Sequence, residues 1–156
     1  MAFSSKKIIL TKEGFANLQR EYQELINQKR PAVINRISRA REFGDLSENS
    51  EYDAAKEEQT LLEVRITQLE QVLKNFQIVQ DVQKTDIVVI GSTVVVEIND
   101  EIHEFSLVGS MEANPAAKKI SNESPVGKAL LGLKAGESVE VAISPVKSRI
   151  KVLEIK

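Results

Sequence analysis

Apolar residues recur at alternating steps of three and four along the middle of this chain. Between residues 52 and 76 they share one side of a helix, and only Gln59 interrupts the apolar register. This spacing predicts the seam of a left-handed coiled coil, which requires a second helix as its partner. The seam positions are Tyr52, Ala55, Gln59, Leu62, Ile66, Leu69, Leu73 and Phe76.

The partner helix is expected to come from the same chain, N-terminal to this seam. Thr11 is a good N-cap for it, and Glu13 in the first turn suits the helix dipole. Pro31 lies inside this arm and removes a backbone donor, which predicts a bend or local loosening. Arms of roughly 30 residues would each be about 45 Å long. We therefore expect an antiparallel hairpin and a monomer. The matching seam residues are Phe15, Leu18, Tyr22 and Leu25, then, after a shift, Val33, Ile37 and Ala40.

The helical pattern stops near Phe76, and a second pattern predicts a small sheet domain. Residues 93–98 and 101–108 alternate or are rich in β-branched side chains around an Asn99-Asp100 turn signal, which predicts a β-hairpin. The predicted fold class is α+β, with a coiled-coil hairpin over 1–80 and an antiparallel sheet domain with a short helix over 81–156. The other predicted elements are a first strand at 88–91, a helix from Ser124-Pro125 through Leu131, and strands at 138–143 and 149–155.

Several classes of protein are not expected. No segment has the about 20 consecutive apolar residues of a membrane span, and the N-terminus lacks the apolar region of a signal peptide, so we expect a cytoplasmic protein that does not enter a membrane. There is no cysteine, which excludes disulfides and thiolate metal sites. A Ser-His-Asp hydrolase would have to use His103, the only histidine, and no Gly-x-Ser-x-Gly elbow supports it.

Charge reverses sign within the predicted hairpin. Residues 29–41 contain five bases and no acid, whereas residues 42–58 are dominated by acids. Two interpretations stay open, because the bases can pair with the acidic arm or form a patch that guides a polyanion. The bases are Lys29, Arg30, Arg36, Arg39 and Arg41.

Two carboxylates stand at the turn between the arms. Asp45 and Glu48 are three residues apart at a predicted helix start, which is the spacing of a capping box with Asp in place of Ser or Thr. Ser47 is another candidate N-cap, and it would free Asp45 for another role. The same carboxylates also suit a hard cation such as Mg²⁺. Local spacing favours the cap and leaves the metal role open.

The turn resembles the coiled-coil tip of the Gre transcript cleavage factors of bacterial RNA polymerase, and the match is close to the GreA branch. The resemblance extends over nearly the whole chain, through two long signatures in the same order. The matching segments are REFGDLSENSEYDAAKEEQ at 41–59, Thr11 to Gly14, Arg30-Pro31, Val108 to Ser110, and residues 120–132.

The resemblance implies a transcription elongation factor that is not itself an enzyme. Its C-terminal domain would be FKBP-like and dock on the polymerase, while the coiled coil enters the secondary channel. There Asp45 and Glu48, which match the acidic tip pair of the family, would help to retain a second Mg²⁺ shared with the polymerase active site and stimulate cleavage of the nascent RNA 3′ end. If the basic stretch guides a polyanion, the extruded RNA would pass Arg36, Arg39 and Arg41; the other interpretation is that these bases only pair with the acidic arm. The alternative is a Gre-like inhibitor or adaptor without cleavage stimulation.

Overall fold

The computed structural model describes residues 6–44, 49–79, 85–143 and 146–156. Contacts divide the chain into a helical unit, Ala16–Asn75, and a sheet unit that combines Met1–Phe15 with Phe76–Lys156. The sequence predicted a coiled-coil hairpin over residues 1–80. The contact-based units have other bounds, because two short strands, β1 (Ile8–Leu10) and β2 (Phe76–Ile78), pair in parallel and belong to the sheet unit.

The helical region consists of two arms that run antiparallel, as predicted. Tyr22 contacts Glu70 on the other arm, whereas Arg30, further along the first arm, contacts Glu63. Partner numbers fall along one arm as they rise along the other, which is the signature of antiparallel packing. The elements are α1 (Lys12–Glu24), a π-helical turn (Leu25–Lys29), α2 (Arg30–Glu42) and α3 (Ser50–Lys74).

The predicted seam is buried over most of its length. At the end of α3 the structure differs, because Val72 is buried while Leu73 is half-buried, and Phe76 begins β2. A straight α-helix drifts by about 20° per heptad from a 3.5-residue repeat, so a step of three replaces a step of four at the end of a long seam. Buried seam residues of the helical unit are Leu18, Leu25, Val33, Ile37, Ala40, Ala55, Leu62, Ile66, Leu69 and Val72.

The π-helical turn explains the shift in the first arm. Arg30 N–H bonds the carbonyl of Leu25, five residues earlier, which accommodates one extra residue in the helix. The buried positions consequently step by eight from Leu25 to Val33. The loosening that Pro31 predicted is confirmed, and it lies just before the proline.

The sheet unit contains a five-stranded sheet in the order β5-β4-β3-β7-β6. The β3–β4 hairpin is confirmed, and its turn residues Asn99 and Asp100 have φ values of 53° and 66°, typical of a mirror-image hairpin turn. The expectation of an antiparallel sheet was wrong for one pair, because β5 runs parallel to β4. The elements are β3 (Thr93–Ile98), β4 (Glu101–Val108), β5 (Lys119–Ser121), α4 (Pro125–Leu130), β6 (Ser138–Ile143) and β7 (Val146–Ile155).

The predicted strand at 88–91 was also wrong. Val88 is fully buried, but its backbone bonds a loop: its N–H donates to Leu133 O at 2.8 Å, and Gly132 N–H donates to Val88 O at 2.8 Å. The short helix α4 begins as predicted, since Ser124 Oγ accepts from Gly127 N–H at 3.0 Å. The core beneath the sheet is Val88, Val94, Val96, Leu107, Leu130, Val141, Ile150, Val152 and Ile155.

The start of α1 is anchored within the sheet unit. Thr11 is its N-cap, as predicted, and its Oγ1 accepts from Gly14 N–H at 3.0 Å. The carboxylate of Glu112 accepts from Thr11 N–H at 2.9 Å and from the Thr11 hydroxyl. Gly109 allows β1 to pass close by, because a Cβ there would lie 1.9 Å from Ile9 O.

Candidate functional site

The C-terminal end of α2 is an ordered helix stop. Phe43 N–H donates to Ala40 O at 3.3 Å, and Gly44 N–H donates to Arg41 O at 3.3 Å. Gly44 has a φ of +93°, a conformation that glycine adopts without the steric cost of a Cβ. Asp45, Ser47 and Glu48 follow directly and lie outside the described residues.

Asn49 ties the two arms together on the far side of that segment. Its Oδ1 accepts from Tyr52 N–H at 3.1 Å, which makes Asn49 the N-cap of α3. Its Nδ2 donates to Ala40 O at 2.7 Å, so the same side chain satisfies a carbonyl of the last turn of α2. One amide therefore joins the end of one helix to the start of the next.

The capping role of Asn49 was not predicted. Asp45 and Ser47 were the candidates, but the observed helix begins at Ser50. The signal was available in the sequence, because Asn is as good an N-cap as Asp, and Glu51 and Asp53 place two acids in the first turn that follows.

Replacing Asn49 by Ala should lower the free energy of unfolding of the helical unit by about 1–2 kcal/mol, because a cap and one further hydrogen bond are lost. Asn49→Asp keeps the cap but not the donor to Ala40, so its loss should be smaller. Urea unfolding followed by circular dichroism at 222 nm measures both variants. Equal losses for Ala and Asp would contradict the dual role of the amide.

The basic stretch of the first arm is partly used in pairing with the second. Arg30 makes a two-pronged ion pair with Glu63, with both N–O distances at 2.8 Å. Arg36 lies between Glu51, at 3.2 Å, and Glu58. The hydrogen bonds that Arg30 donates to Glu63 and Arg36 donates to Glu51 raise the pKa of each arginine above its ordinary value. Cross-arm pairing therefore accounts for these two bases.

Similar contacts join the arms nearer the other end of the hairpin. Arg65 pairs with Glu21 at 2.7 and 2.9 Å. Tyr22 OH donates to Glu70 at 3.1 Å, and this bond raises the pKa of the tyrosine. Together with the apolar seam, these pairs fix the register of the two helices.

Arg39 and Arg41 differ from Arg30 and Arg36. Both are exposed on the last turns of α2, and neither has an ion-pair partner among the described residues. Beside them, the ring of Phe43 is 82% exposed. The sequence pattern did not single out Phe43, because a lone aromatic before a glycine is compatible with packing as well as with exposure.

His103 has no features of a catalytic histidine. Its ring stacks on Phe105 with centroids 5.8 Å apart, and its Nε2 lies 3.5 Å from Glu101 on the same strand. These contacts are those of an ordinary strand residue.

Two family models cover almost the whole chain. The model for the N-terminal domain of transcription elongation factors matches residues 8–78, and that for the C-terminal domain of GreA/GreB transcription elongation factors matches residues 83–156. The chain belongs to the GreA/GreB family of transcription elongation factors.

This chain is similar to individual GreA proteins over nearly its whole length. The transcription elongation factor GreA of Acetivibrio thermocellus is 49% identical, over 98% of this chain and 98% of its own. GreA of Thermomicrobium roseum is 42% identical, over 97% of this chain and 98% of its own. Among solved structures, the GreA factor homolog 1 (Gfh1) protein of Thermus thermophilus is 28% identical, covers 97% of this chain and 99% of its own, and superposes with a TM-score of 0.46.

The candidate site of this GreA/GreB family member lies at the turn between the two helical arms. Ala40 and Asn49 hold the two helix ends together, and the segment with Asp45 and Glu48 connects them. In the part of the chain that the structure describes, no three acids or histidines gather into a metal site. Each helix within those residues is too short or too polar to span a lipid bilayer.

Proposed function

We propose that this GreA/GreB family chain binds bacterial RNA polymerase, inserts its helical hairpin into the secondary channel and stimulates cleavage of the nascent RNA 3′ end in backtracked complexes. The polymerase supplies the catalytic centre, so the chain is a stimulator and not an enzyme by itself. The observation that carries the proposal is the tip. Asp45 and Glu48, the only acids between residues 43 and 50, lie in the connection between two helix ends that Asn49 ties together.

The donor set at the tip fits a shared Mg²⁺ better than a site of the chain's own. Mg²⁺ takes six oxygen ligands and is commonly held by one or two carboxylates together with substrate phosphates. Two tip carboxylates would be too few alone, but they would complete an ion that the polymerase and the RNA also ligate. Such an ion supplies an activated water and charge neutralisation at the phosphodiester.

The residues of the chain would help to hold the shared Mg²⁺ and to position the attacking water. Asp45 would contribute a charged ligand, and Glu48 would either add a second or orient the attacking water. The paired arms would present both groups at a constant place, since stimulation depends on geometry. The sheet unit, with its own buried core, would provide the polymerase docking surface, separate from the hairpin.

The test is to add the purified chain to a backtracked elongation complex with end-labelled RNA and Mg²⁺. We expect RNA to lose its 3′ segment at a rate that rises with the concentration of the chain and then saturates. A complex that is not backtracked serves as the control and should stay intact. Inhibition of elongation without cleavage would contradict the proposal and support the alternative of a Gre-like inhibitor or adaptor.

Arg39 and Arg41 are proposed to guide the extruded RNA, and the paired Arg36 to contribute through its charge. Replacing Arg39 and Arg41 together by Gln should raise the concentration needed for half-maximal stimulation about fivefold, and weaken its salt dependence, because two phosphate contacts are lost. The measurement is a titration of cleavage at several salt concentrations. Arg20→Gln removes an exposed arginine from α1 and should have little effect. An unchanged salt dependence in the double variant would contradict RNA guidance and indicate that both arginines are ordinary solvated surface charges.

A further inference from the structure

Phe43 is the most exposed of the large apolar side chains within the described ranges, at 82%. A phenylalanine in water forgoes the hydrophobic gain that its ring would make by burial. Solitary exposed apolar residues are ordinary, so exposure by itself assigns no role to this ring. Its surroundings carry the inference.

The backbone that carries Phe43 is well anchored. The residue ends α2 with a φ of −79° and a ψ of 0°, and its N–H donates to the carbonyl of Ala40 at 3.3 Å. Ala40 O is also the atom that Asn49 holds from the other arm. The ring is therefore presented from an ordered helix end, two residues before Asp45, and not from an unanchored loop.

The charged side chains nearest Phe43 in sequence are the acid Glu42, directly before it, and two bases on the last turns of α2. Arg39 and Arg41 lie four and two residues before it, both exposed and without an ion-pair partner in the described part of the chain. Bases that attract a phosphate backbone, combined with an exposed aromatic face, are the combination that binds single-stranded nucleic acid. A hydrophobic protein partner would not need the neighbouring positive charges.

We propose that Phe43 is a substrate-binding residue whose ring stacks on a nucleobase of the extruded RNA. The inference rests on the proposed function and deepens it by naming how single-stranded RNA is held at the tip. Arg39 and Arg41 attract the phosphates, and the ring holds a base. Because every base has a π-face, this contact tolerates any RNA sequence.

The test compares full-length variants at position 43 on one backtracked complex. Phe43→Ala should raise the concentration for half-maximal cleavage about tenfold, as expected for one lost base stack. Phe43→Leu, which keeps apolar surface but has no aromatic face, should be similarly impaired, whereas Phe43→Trp should restore the parent value. Since the side chain is exposed, thermal midpoints should not change. A leucine variant as active as the parent would overturn stacking.

A second experiment removes the nucleobase of the RNA and keeps the ring of Phe43. On a complex whose extruded nucleotides are abasic, the parent and Phe43→Ala should have the same half-maximal concentration, because the partner of the ring is absent. A tenfold difference that persists there would overturn the inference. So would a loss of affinity of Phe43→Ala for polymerase without nucleic acid, which would assign the ring to a protein surface. If the parent does not stimulate cleavage of ordinary backtracked RNA, it is the proposed function that fails.

Discussion

Replacing Asp45 by Asn should lower the maximal rate of stimulated RNA cleavage about 100-fold, a loss like that for removal of one preorganised group that stabilises charge in a transition state. An amide oxygen is a poorer ligand for Mg²⁺ than a carboxylate because it has no net charge. The measurement is the cleavage rate of a backtracked complex with the factor at saturation, so that weaker binding to polymerase does not contribute. Raising the Mg²⁺ concentration should restore part of the rate.

The stability of Asp45→Asn should equal that of the parent, because Asn49 caps α3 in the structure. Glu48→Gln should have a similar or milder effect on the rate. Glu42→Gln is the matched control: it removes one acid from the last turn of α2, three residues before Asp45, and should cleave like the parent. If Asp45→Asn loses stability but cleaves like the parent once bound, the residue has a structural role and the metal role is wrong.

Truncating Leu69 to Ala should lower the free energy of unfolding of the helical unit by about 2–5 kcal/mol, the usual cost of deleting a buried leucine side chain. Leu69 is 0% exposed at the seam of α3. The change removes apolar contacts and leaves a cavity between the arms. Urea unfolding at 222 nm, where the helical signal dominates, gives the measurement.

Leu61 provides the control on the same helix. It is 66% exposed, so Leu61→Ala should change stability by no more than about 0.5 kcal/mol. The comparison isolates burial, because the two substitutions are chemically identical. Similar losses in the two variants would contradict the assignment of the seam.

The local patterns of the sequence were accurate at most positions where neighbouring residues decide the structure, and the N-cap of α3 at Asn49 is an exception. Most seam positions, the caps at Thr11 and Ser124, and the Asn99-Asp100 turn were predicted, because each depends on helical or strand periodicity or on a side chain reaching its own backbone. The loosening near Pro31 was predicted for the same reason. Its form, a π-helical turn that shifts the register by one residue, was not.

Predictions that required a distant partner were less accurate. The pairing of β1 with β2 joins strands more than 60 residues apart in sequence. Neither strand is long enough to be recognised by an alternation of apolar and polar residues. The strand β5, which is parallel to β4, has only three residues. Val88 has the apolar side chain of a strand residue, but its backbone hydrogen bonds are made with a loop. In each case a nonlocal hydrogen-bond partner overrode the local propensity.

The candidate site shows the same division. By itself the sequence determined the family, two long helical arms, and a turn that contains Asp45 and Glu48, since periodicity and motif order are local properties of the chain. Only the tertiary structure decided that Asn49 bridges to Ala40, that Arg30 and Arg36 are paired across the arms, and that Phe43 stays in solvent. The physical reason is that pairing and exposure depend on which side chains the other arm brings near, and no local spacing specifies that.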